Sequence, residues 1–477
     1  MAATNPVGDD ERGTGRGRPA RPAGQARRRP AGQRSTGQPS GAQPTAGQRA
    51  ASTQRGASAQ HSRQQRGRSG ATAVPRSGRL GALGEALNAP LASWYLVLVS
   101  SSLLVFLGAL MVLSASSVYS QSISDNPWYI AQRQLMFLVL GLPLAWWVSR
   151  REERTLKTLG WVGFIGALVL LLLVFVPGFG DDAGKGNLAW LKLGPIRIQP
   201  SEFAKLGLVA WSAAVIAAKE KVLDRPRELA FPLLVGFALV EILVLAQKDL
   251  GTGLVIAAII FSILFVIGVP GRMLGALGGV GLLGVAFLVI TSPNRMKRIL
   301  IFWGASDADP NASQQPMSAI YALASGGWWG RGLGYSRQKW GNLNDGAQND
   351  FIFAVLGEEL GLMGTLAVLC LFAVLCYAGY RIAMRADSIF IRVLAAATTS
   401  WLMFQALVNI GVAMKMLPVV GVPLPFISAG GSALLANLLA VALLLACARQ
   451  EPEARRLRER KAGGPRPRIT TVVDGDR

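Results

Sequence analysis

Between Ser93 and Ala448 the chain alternates long apolar runs with short polar breaks, at lengths suited to crossing a bilayer. A spanning helix needs about 20 apolar residues. On that measure the pattern predicts about ten spans, near 94–113, 134–149, 158–177, 202–218, 229–247, 251–269, 273–291, 351–379, 389–412 and 431–448. The expectation is an all-α polytopic membrane protein. A long loop, 292–350, separates the seventh span from the eighth and mixes Trp328, Trp329, Tyr335 and Trp340 with many glycines. Loops longer than about 15 residues are usually functional or disordered, and this one is not low in complexity. It is expected to be a structured extracytoplasmic loop with short amphipathic pieces. The run Leu417–Ser432 is uncharged but too rich in Pro and Gly for a regular span. Irregular backbone at membrane depth survives only where it is buried in protein or lines a cavity. A re-entrant loop beside a lipid-accessible groove is expected there.

Charge fixes the orientation. Arg150, Arg151, Arg154 and Lys157 lie in one connection, Lys219, Lys221, Arg225 and Arg227 in the next alternate one, and Arg381, Arg385 and Arg392 in another. The positive-inside bias makes these cytoplasmic, with both termini on the same side, as an even number of spans requires. The site-bearing loops then face outward. The chain has 477 residues, 51% of them hydrophobic and 16% charged, with a net charge of +22. That balance fits a membrane protein whose basic charge is segregated into tails. Three regions follow: a disordered basic cytoplasmic head over 1–90, a transmembrane domain over 91–448, and a basic cytoplasmic tail over 449–477. The head holds fifteen Arg and no Lys. It lacks the interleaved aromatics and folded module of a nucleic-acid binder, so anionic membrane lipid is the expected contact and no nucleic acid is. Nothing at the N-terminus reads as a signal peptide. Cys370, Cys376 and Cys447 lie in apolar spans and make no metal or disulfide pattern; the single histidine, His61, lies in the head. Proton transfer in the membrane domain therefore falls to carboxylates or lysines.

Asp350 is the first of these to explain, because it stands at the water–lipid boundary just ahead of a hydrophobic span. A carboxylate well inside a bilayer costs about 2.5–3.5 kcal/mol on insertion scales. Helical spacing sets Glu358 about 80° from it and Glu359 on the opposite side, so neither forms a dyad with Asp350. They read as interhelical hydrogen-bond or ion-pair partners. Pro200, Ser201 and Glu202 mark a helix start. Glu202 and Lys205 are either an ion pair fixing that start or an anion site with the lysine aimed outward. Asp249 either caps a helix or serves a site at the domain mouth. Arg295 and Arg298 open the long loop and suit either lipid headgroups or a substrate phosphate. Gln405 and Asn409 sit four apart in the ninth span, followed by Lys415, Ser428, Gly430 and Gly431; with Trp190, Ser201, Glu202, Lys205, Asp249, Arg295 and Arg298 they are the candidate substrate-binding residues.

The motifs together resemble the SEDS family (shape, elongation, division and sporulation) over essentially all of 93–448. They are Gln-Pro-Ser-Glu-x-x-Lys at 199–205, Asp-Leu-Gly-Thr at 249–252, Gly-Gly-x-x-Gly-x-Gly-Leu-Gly at 326–334, Asp-Phe-Ile-Phe at 350–353 before Glu-Glu-Leu-Gly, and Pro-Leu-Pro-Phe-Ile-Ser-x-Gly-Gly-Ser at 423–432. The resemblance implies a peptidoglycan glycosyltransferase that polymerises lipid II outside the cytoplasmic membrane, with Asp350 as catalytic carboxylate and Asp249 as a motif residue. It implies a class B penicillin-binding protein of the FtsI-like transpeptidase type as partner, other divisome proteins, and a divalent cation (Mg or Mn) as cofactor. The long head and the Val-Pro-Leu-Pro-Phe-Ile-Ser wording point to the division branch, at the septum, over the elongation branch. Two departures stand out. The usual His-Thr ahead of the aspartate is Gln348-Asn349, and the Gly-Asn-Leu-Ala-Trp run ending at Trp190 lacks its usual arginine. Lys185, Lys192 or Lys415 are candidates to replace that cation. Inversion at an α-linked donor needs one base, Asp350, and cations for the leaving pyrophosphate: Arg295, Arg298 and Lys205. A lipid II flippase and a non-enzymatic division scaffold are the competing functions.

Overall fold

The computed structural model describes residues 89–461 except 183–186, 195, 223–225, 305–309, 342 and 344–345. Residues 1–88, Lys185 and the tail beyond Lys461 lie outside these residues. Ten apolar helices fall where the hydropathy pattern placed spans: α1 (Ala92–Ser124), α2 (Tyr129–Ser149), α3 (Glu153–Leu173), α4 (Pro200–Ala218), α5 (Pro226–Ala246), α6 (Leu250–Val266), α7 (Gly271–Ile290), α10 (Ile352–Arg385), α11 (Ile389–Ala413) and α12 (Gly431–Ala448). Among the described residues, seven of them are long and apolar enough to cross a membrane by length and composition, and α6 and much of α5 form shorter apolar helices. Phe106, Val162, Phe231, Phe265, Leu283 and Phe287 stand exposed on the bundle's outside. Apolar exposure on that scale belongs to a lipid-facing surface. The protein core runs through α4, α11 and α12, whose side chains are buried nearly all round.

Three features depart from the sequence expectation, and a fourth, the long loop, follows it. Helix α1 runs eleven residues past 113, so the first outer connection shrinks to a tight turn around Asp125. The connection before α4 carries a small antiparallel sheet: β1 (Gly180–Asp181), β2 (Trp190–Leu193) and β3 (Ile196–Ile198), in the order β1-β2-β3. Its strands are too short and polar for a hydropathy reading to register. The long loop contains α8 (Pro293–Trp303) and α9 (Pro310–Gly326), then a single 3-10 turn at Gln338–Trp340. Finally, α10 is broken at Gly361, whose φ of 68° and ψ of −166° are not helical. Its first nine residues, Ile352–Leu360, would extend only about 13 Å, too short to cross; the stretch after the break suffices alone. The eighth span therefore starts after Gly361.

The break explains the glycine run at 326–334. Interrupting a helix frees backbone groups, which must find partners inside the membrane domain. Here the carbonyls of Glu358 and Glu359 accept from the N–H groups of Arg331 (2.9 Å) and Gly332 (3.0 Å). In return, Leu362 and Met363 donate to the carbonyls of Gly327 (2.9 Å) and Trp328 (3.2 Å). A Cβ on Gly330 would strike the Glu359 carbonyl, and one on Gly361 would strike Gly330 N and Trp328 O. Both residues also sit at positive φ. Only glycine lets the loop backbone lie this close to the broken helix. Helix α13 (Pro452–Lys461) follows α12 at the basic end.

Candidate active site

Asp350 lies in the turn that leads into α10, partly exposed and one residue before the helix cap. The 100° helical spacing to Glu358 and Glu359 therefore does not apply to it. Three consecutive carbonyls hold its backbone. Gln348 O accepts from Ala429 N (2.8 Å), Asn349 O from Ser428 Oγ (2.7 Å), and Asp350 O from Asn409 Nδ2 (3.2 Å). Phe351 N also donates to Gly346 O (3.2 Å). The backbone that carries this carboxylate is thus tied to α11 and to the 417–430 segment. Gln348 and Asn349, which replace the His-Thr of the family pattern, contribute backbone oxygens to this clamp. Any residue at those positions supplies that atom.

The same two elements extend a polar seam inward. Asn409 Nδ2 also donates to Val422 O (2.8 Å), and one turn earlier Gln405 Nε2 donates to Pro423 O (3.0 Å). These amides satisfy the carbonyls that a proline-rich strand leaves unpaired. Gln405 Oε1 accepts from Lys205 Nζ (2.9 Å) and from Trp401 Nε1 (2.8 Å). Lys205 Nζ pairs with Glu202 Oε1 at 2.8 Å and lies 5.2 Å from the Trp401 ring centre. Lys205 and Glu202 are each 1% exposed. The geometry therefore supports the ion-pair reading of this motif and not a lysine aimed outward. Lys205 cannot reach a pyrophosphate from this position without leaving its partners. Ser201 is fully buried beside it.

Asp249 caps α6: Oδ1 accepts from Thr252 N (3.1 Å) and Oδ2 from Thr252 Oγ1 (2.8 Å). Oδ2 also accepts from Gln199 Nε2 (3.2 Å), and Gln199 N donates to Ser432 Oγ (3.3 Å). Gln199, at the cap of α4, thus ties that helix start to those of α6 and α12. Arg295 lies over this turn, donating to Lys248 O (3.2 Å) and Leu288 O (3.1 Å). Arg298 donates to Val419 O (3.2 Å) and is exposed. Arg298 accordingly borders the same irregular segment that clamps Asp350, while Arg295 holds the turn at Lys248. Gly430 N donates to Gln134 Oε1 of α2 (3.1 Å), and a side chain on Gly431 would collide with the Phe137 ring. Lys415 Nζ approaches Met317 Sδ of α9 (3.3 Å). Trp190 sits in β2 opposite Asp181, apart from the seam; Lys192, on the same strand, is exposed.

Glu358 and Glu359 serve the loop. Glu358 accepts from Ser336 Oγ (2.6 Å), Arg337 N (3.0 Å) and Gln338 N (3.3 Å). Glu359 accepts from Ser114 Oγ of α1 (2.7 Å) and pairs with Lys339 Nζ at 3.0 Å. All four charged or polar anchors, Glu358, Glu359, Ser336 and Lys339, are buried. Sequence reasoning missed Lys339 and Gln134. The signal for Lys339 was available: two adjacent buried glutamates call for a nearby cation. A lone Gln inside an apolar span, as at 134, was the signal for the other.

Between α1 and α2 lies an apolar cavity of about 380 Å³, bounded by Phe106, Leu110, Leu135, Leu138, Phe426 and Leu434. Gln134, which bonds Gly430, stands on its wall. Among the described residues no three His, Cys, Asp or Glu side chains come together to hold a metal ion. Asp350 and Asp249 therefore do not form an all-protein cation site with a third carboxylate. Mg²⁺ commonly uses one or two carboxylates with substrate phosphates, and no step below is routed through an ion.

With this geometry in view, comparison with known proteins is specific. Residues 94–453 match the family model FTSW_RODA_SPOVE, described as "Cell cycle protein". The chain is 36% identical over 372 residues to a Mycobacterium tuberculosis protein described as "Probable peptidoglycan glycosyltransferase FtsW", covering 78% of this chain and 70% of that one. It is also 36% identical over 350 residues to the Stage V sporulation protein E of Bacillus subtilis, covering 73% and 95%. A solved structure described as "Structural coordination of polymerization and crosslinking by a peptidoglycan synthase complex" contains a chain 28% identical, with a TM-score of 0.60 over 75% of this chain and 97% of that one. The chain belongs to the FtsW, RodA and SpoVE family of cell cycle proteins.

Proposed function

We propose that this protein is a peptidoglycan glycosyltransferase that joins lipid II units into β-1,4 glycan strands at the outer face of the cytoplasmic membrane during division. The names of its FtsW relatives support the activity. The observation that carries the site is the triple carbonyl clamp on Gln348, Asn349 and Asp350, which holds one carboxylate at the mouth of a buried polar seam. The 4-hydroxyl oxygen of the acceptor GlcNAc attacks the anomeric carbon of the donor MurNAc. The bond from that carbon to undecaprenyl pyrophosphate breaks, and its electron pair leaves with the pyrophosphate. Asp350 takes the hydroxyl proton, a role typically worth 10²–10⁴-fold. One displacement converts the α-linked donor to a β link, so no covalent intermediate is needed.

The leaving group needs positive charge where its own charge develops. Arg295 and Arg298 are the candidates, since Lys205 is already paired inside the core. The apolar cavity between α1 and α2 suits a polyprenyl tail, and Gln134 joins its wall to the Gly430 end of the clamp. Asp249, Gln405, Asn409 and Ser428 position the segments around Asp350, as their bonds to backbone and helix starts suggest. A class B penicillin-binding protein is the proposed partner, by the likeness to a chain from a complex that couples polymerization with crosslinking. A divalent cation, septal placement, other divisome partners and cytoplasmic termini belong to the same reading.

The test is the purified protein with its penicillin-binding partner and labelled lipid II. Lysozyme-sensitive β-1,4 glycan is the expected product. No glycan, with lipid II moved across vesicles instead, would favour the flippase reading; neither activity would favour a scaffold.

A further inference from the structure

The basic end of the bundle contains a second cavity, far in sequence from the residues around Asp350. It measures about 320 Å³ and is lined by Arg150, Arg151 and Arg154 from the α2–α3 turn and by Arg449, Arg455 and Arg458 from the α12–α13 corner. Glu152 and Glu153 are the carboxylates on its wall. Glu153 is already engaged, by Lys157 Nζ at 2.7 Å and Ser388 Oγ at 2.9 Å. Among the described residues none of the six arginines forms an ion pair with a carboxylate. Burial, with the charges of Arg458 and Arg150, presses the Arg449 pKa below its ordinary value. Six guanidinium groups against two carboxylates leave an excess of like charge that an anion would offset, so the cluster has the form of an anion cradle.

The surroundings identify the class of anion. Arg150 lies 3.8 Å over the Trp146 ring and Arg151 4.0 Å over the Trp147 ring. Those tryptophans face outward, 58% and 39% exposed. Tryptophan on the outside of a membrane bundle sits at headgroup level. The cavity therefore opens where phosphodiesters of the leaflet lie, and the planar guanidinium fork fits phosphate oxygens. We propose that this arginine cradle binds the phosphate headgroup of an anionic membrane lipid, locking α13 against the α2–α3 turn. The site joins the helical first part of the basic tail to the α2–α3 turn and is separate from general attraction by the basic head.

The test uses the full-length chain in phosphatidylcholine nanodiscs carrying a photoactivatable phosphatidylglycerol, with adducts mapped by peptide. Wild type should label around Arg150–Lys157 and Arg449–Arg458. Each lost charge near an anionic surface weakens partitioning about fivefold, so Arg150→Gln/Arg449→Gln/Arg458→Gln should lose labelling there by tenfold or more. Adducts on the rest of the chain should persist. Arg458→Gln alone changes only an exposed side chain and should fall by about fivefold on the same scale, which guards against misfolding of the triple variant. Unchanged labelling in the variants would overturn the proposal, as would equal labelling by a phosphatidylcholine probe. Loss of labelling on adding inorganic phosphate would overturn the lipid assignment in favour of a free anion.

Discussion

Asn409 shows how one amide can hold the proposed base by its backbone alone. Its Nδ2 holds Asp350 O and Val422 O together, bridging the aspartate's backbone to the irregular 417–430 segment. Asn409→Leu, similar in size, removes both bonds and leaves two carbonyls without a donor. The cost should be about 1–3 kcal/mol for each orphaned group that water cannot reach. Glycan synthesis should fall more steeply than the thermal midpoint of the detergent-solubilised protein, because the displaced residue is the proposed base; equal losses would mean a purely structural role. Asp350 itself was legible in the sequence as an expensive charge at a boundary. Its clamp was not, since backbone carbonyls leave no trace in residue identity. Glu202, Lys205 and Asp249 had two readings each in the sequence, and contacts across helices favour the structural one. Those contacts lie as much as 200 residues apart, as for Lys205 with Gln405, beyond the reach of local spacing.

At the scale of elements, the broken helix α10 and its glycine-rich partner form one device. Gly330→Ala places a Cβ on the Glu359 carbonyl and a non-glycine at positive φ. Such strain costs on the order of 1–3 kcal/mol. It should expose the 326–340 loop to limited proteolysis, whereas Gly334→Ala, where a Cβ meets nothing within 4 Å, bears only the backbone strain and should be milder. The Lys339–Glu359 pair offers a second check. Lys339→Met leaves a buried glutamate uncompensated, a loss of about 3–5 kcal/mol, and Lys339→Met/Glu359→Gln should recover much of it. Thermal unfolding of the two variants reads this directly; a double variant no better than the single would refute the pairing. Ten helices were legible from apolar run lengths alone. The break at Gly361 was not, because Leu360 and Leu362 keep the hydropathy continuous, and the β1–β3 sheet has too few residues to signal itself.

Across the whole molecule, polar chemistry and basic charge occupy separate places. Asp350 and Arg298 lie against the irregular 417–430 segment, with Asp249 and Arg295 at the turn before α6, while six arginines gather at the α2–α3 and α12–α13 corners. The apolar cavity reaches the clamp through Gln134. Leu110→Trp, which would fill that cavity, should raise KM for long-chain lipid II more than for a short-chain analogue; equal effects would place the tail elsewhere. The composition already separated the basic tails from the membrane domain, yet which spans enclose a groove depends on packing that no single span encodes. The measurement that bears most directly on the central claim is glycan synthesis by Asp350→Asn with the penicillin-binding partner present. The substitution keeps the clamped backbone and removes only the proton acceptor. Polymerisation should drop by about 10²–10⁴-fold with complex formation unchanged. Glycan made at the wild-type rate would contradict Asp350 as the base.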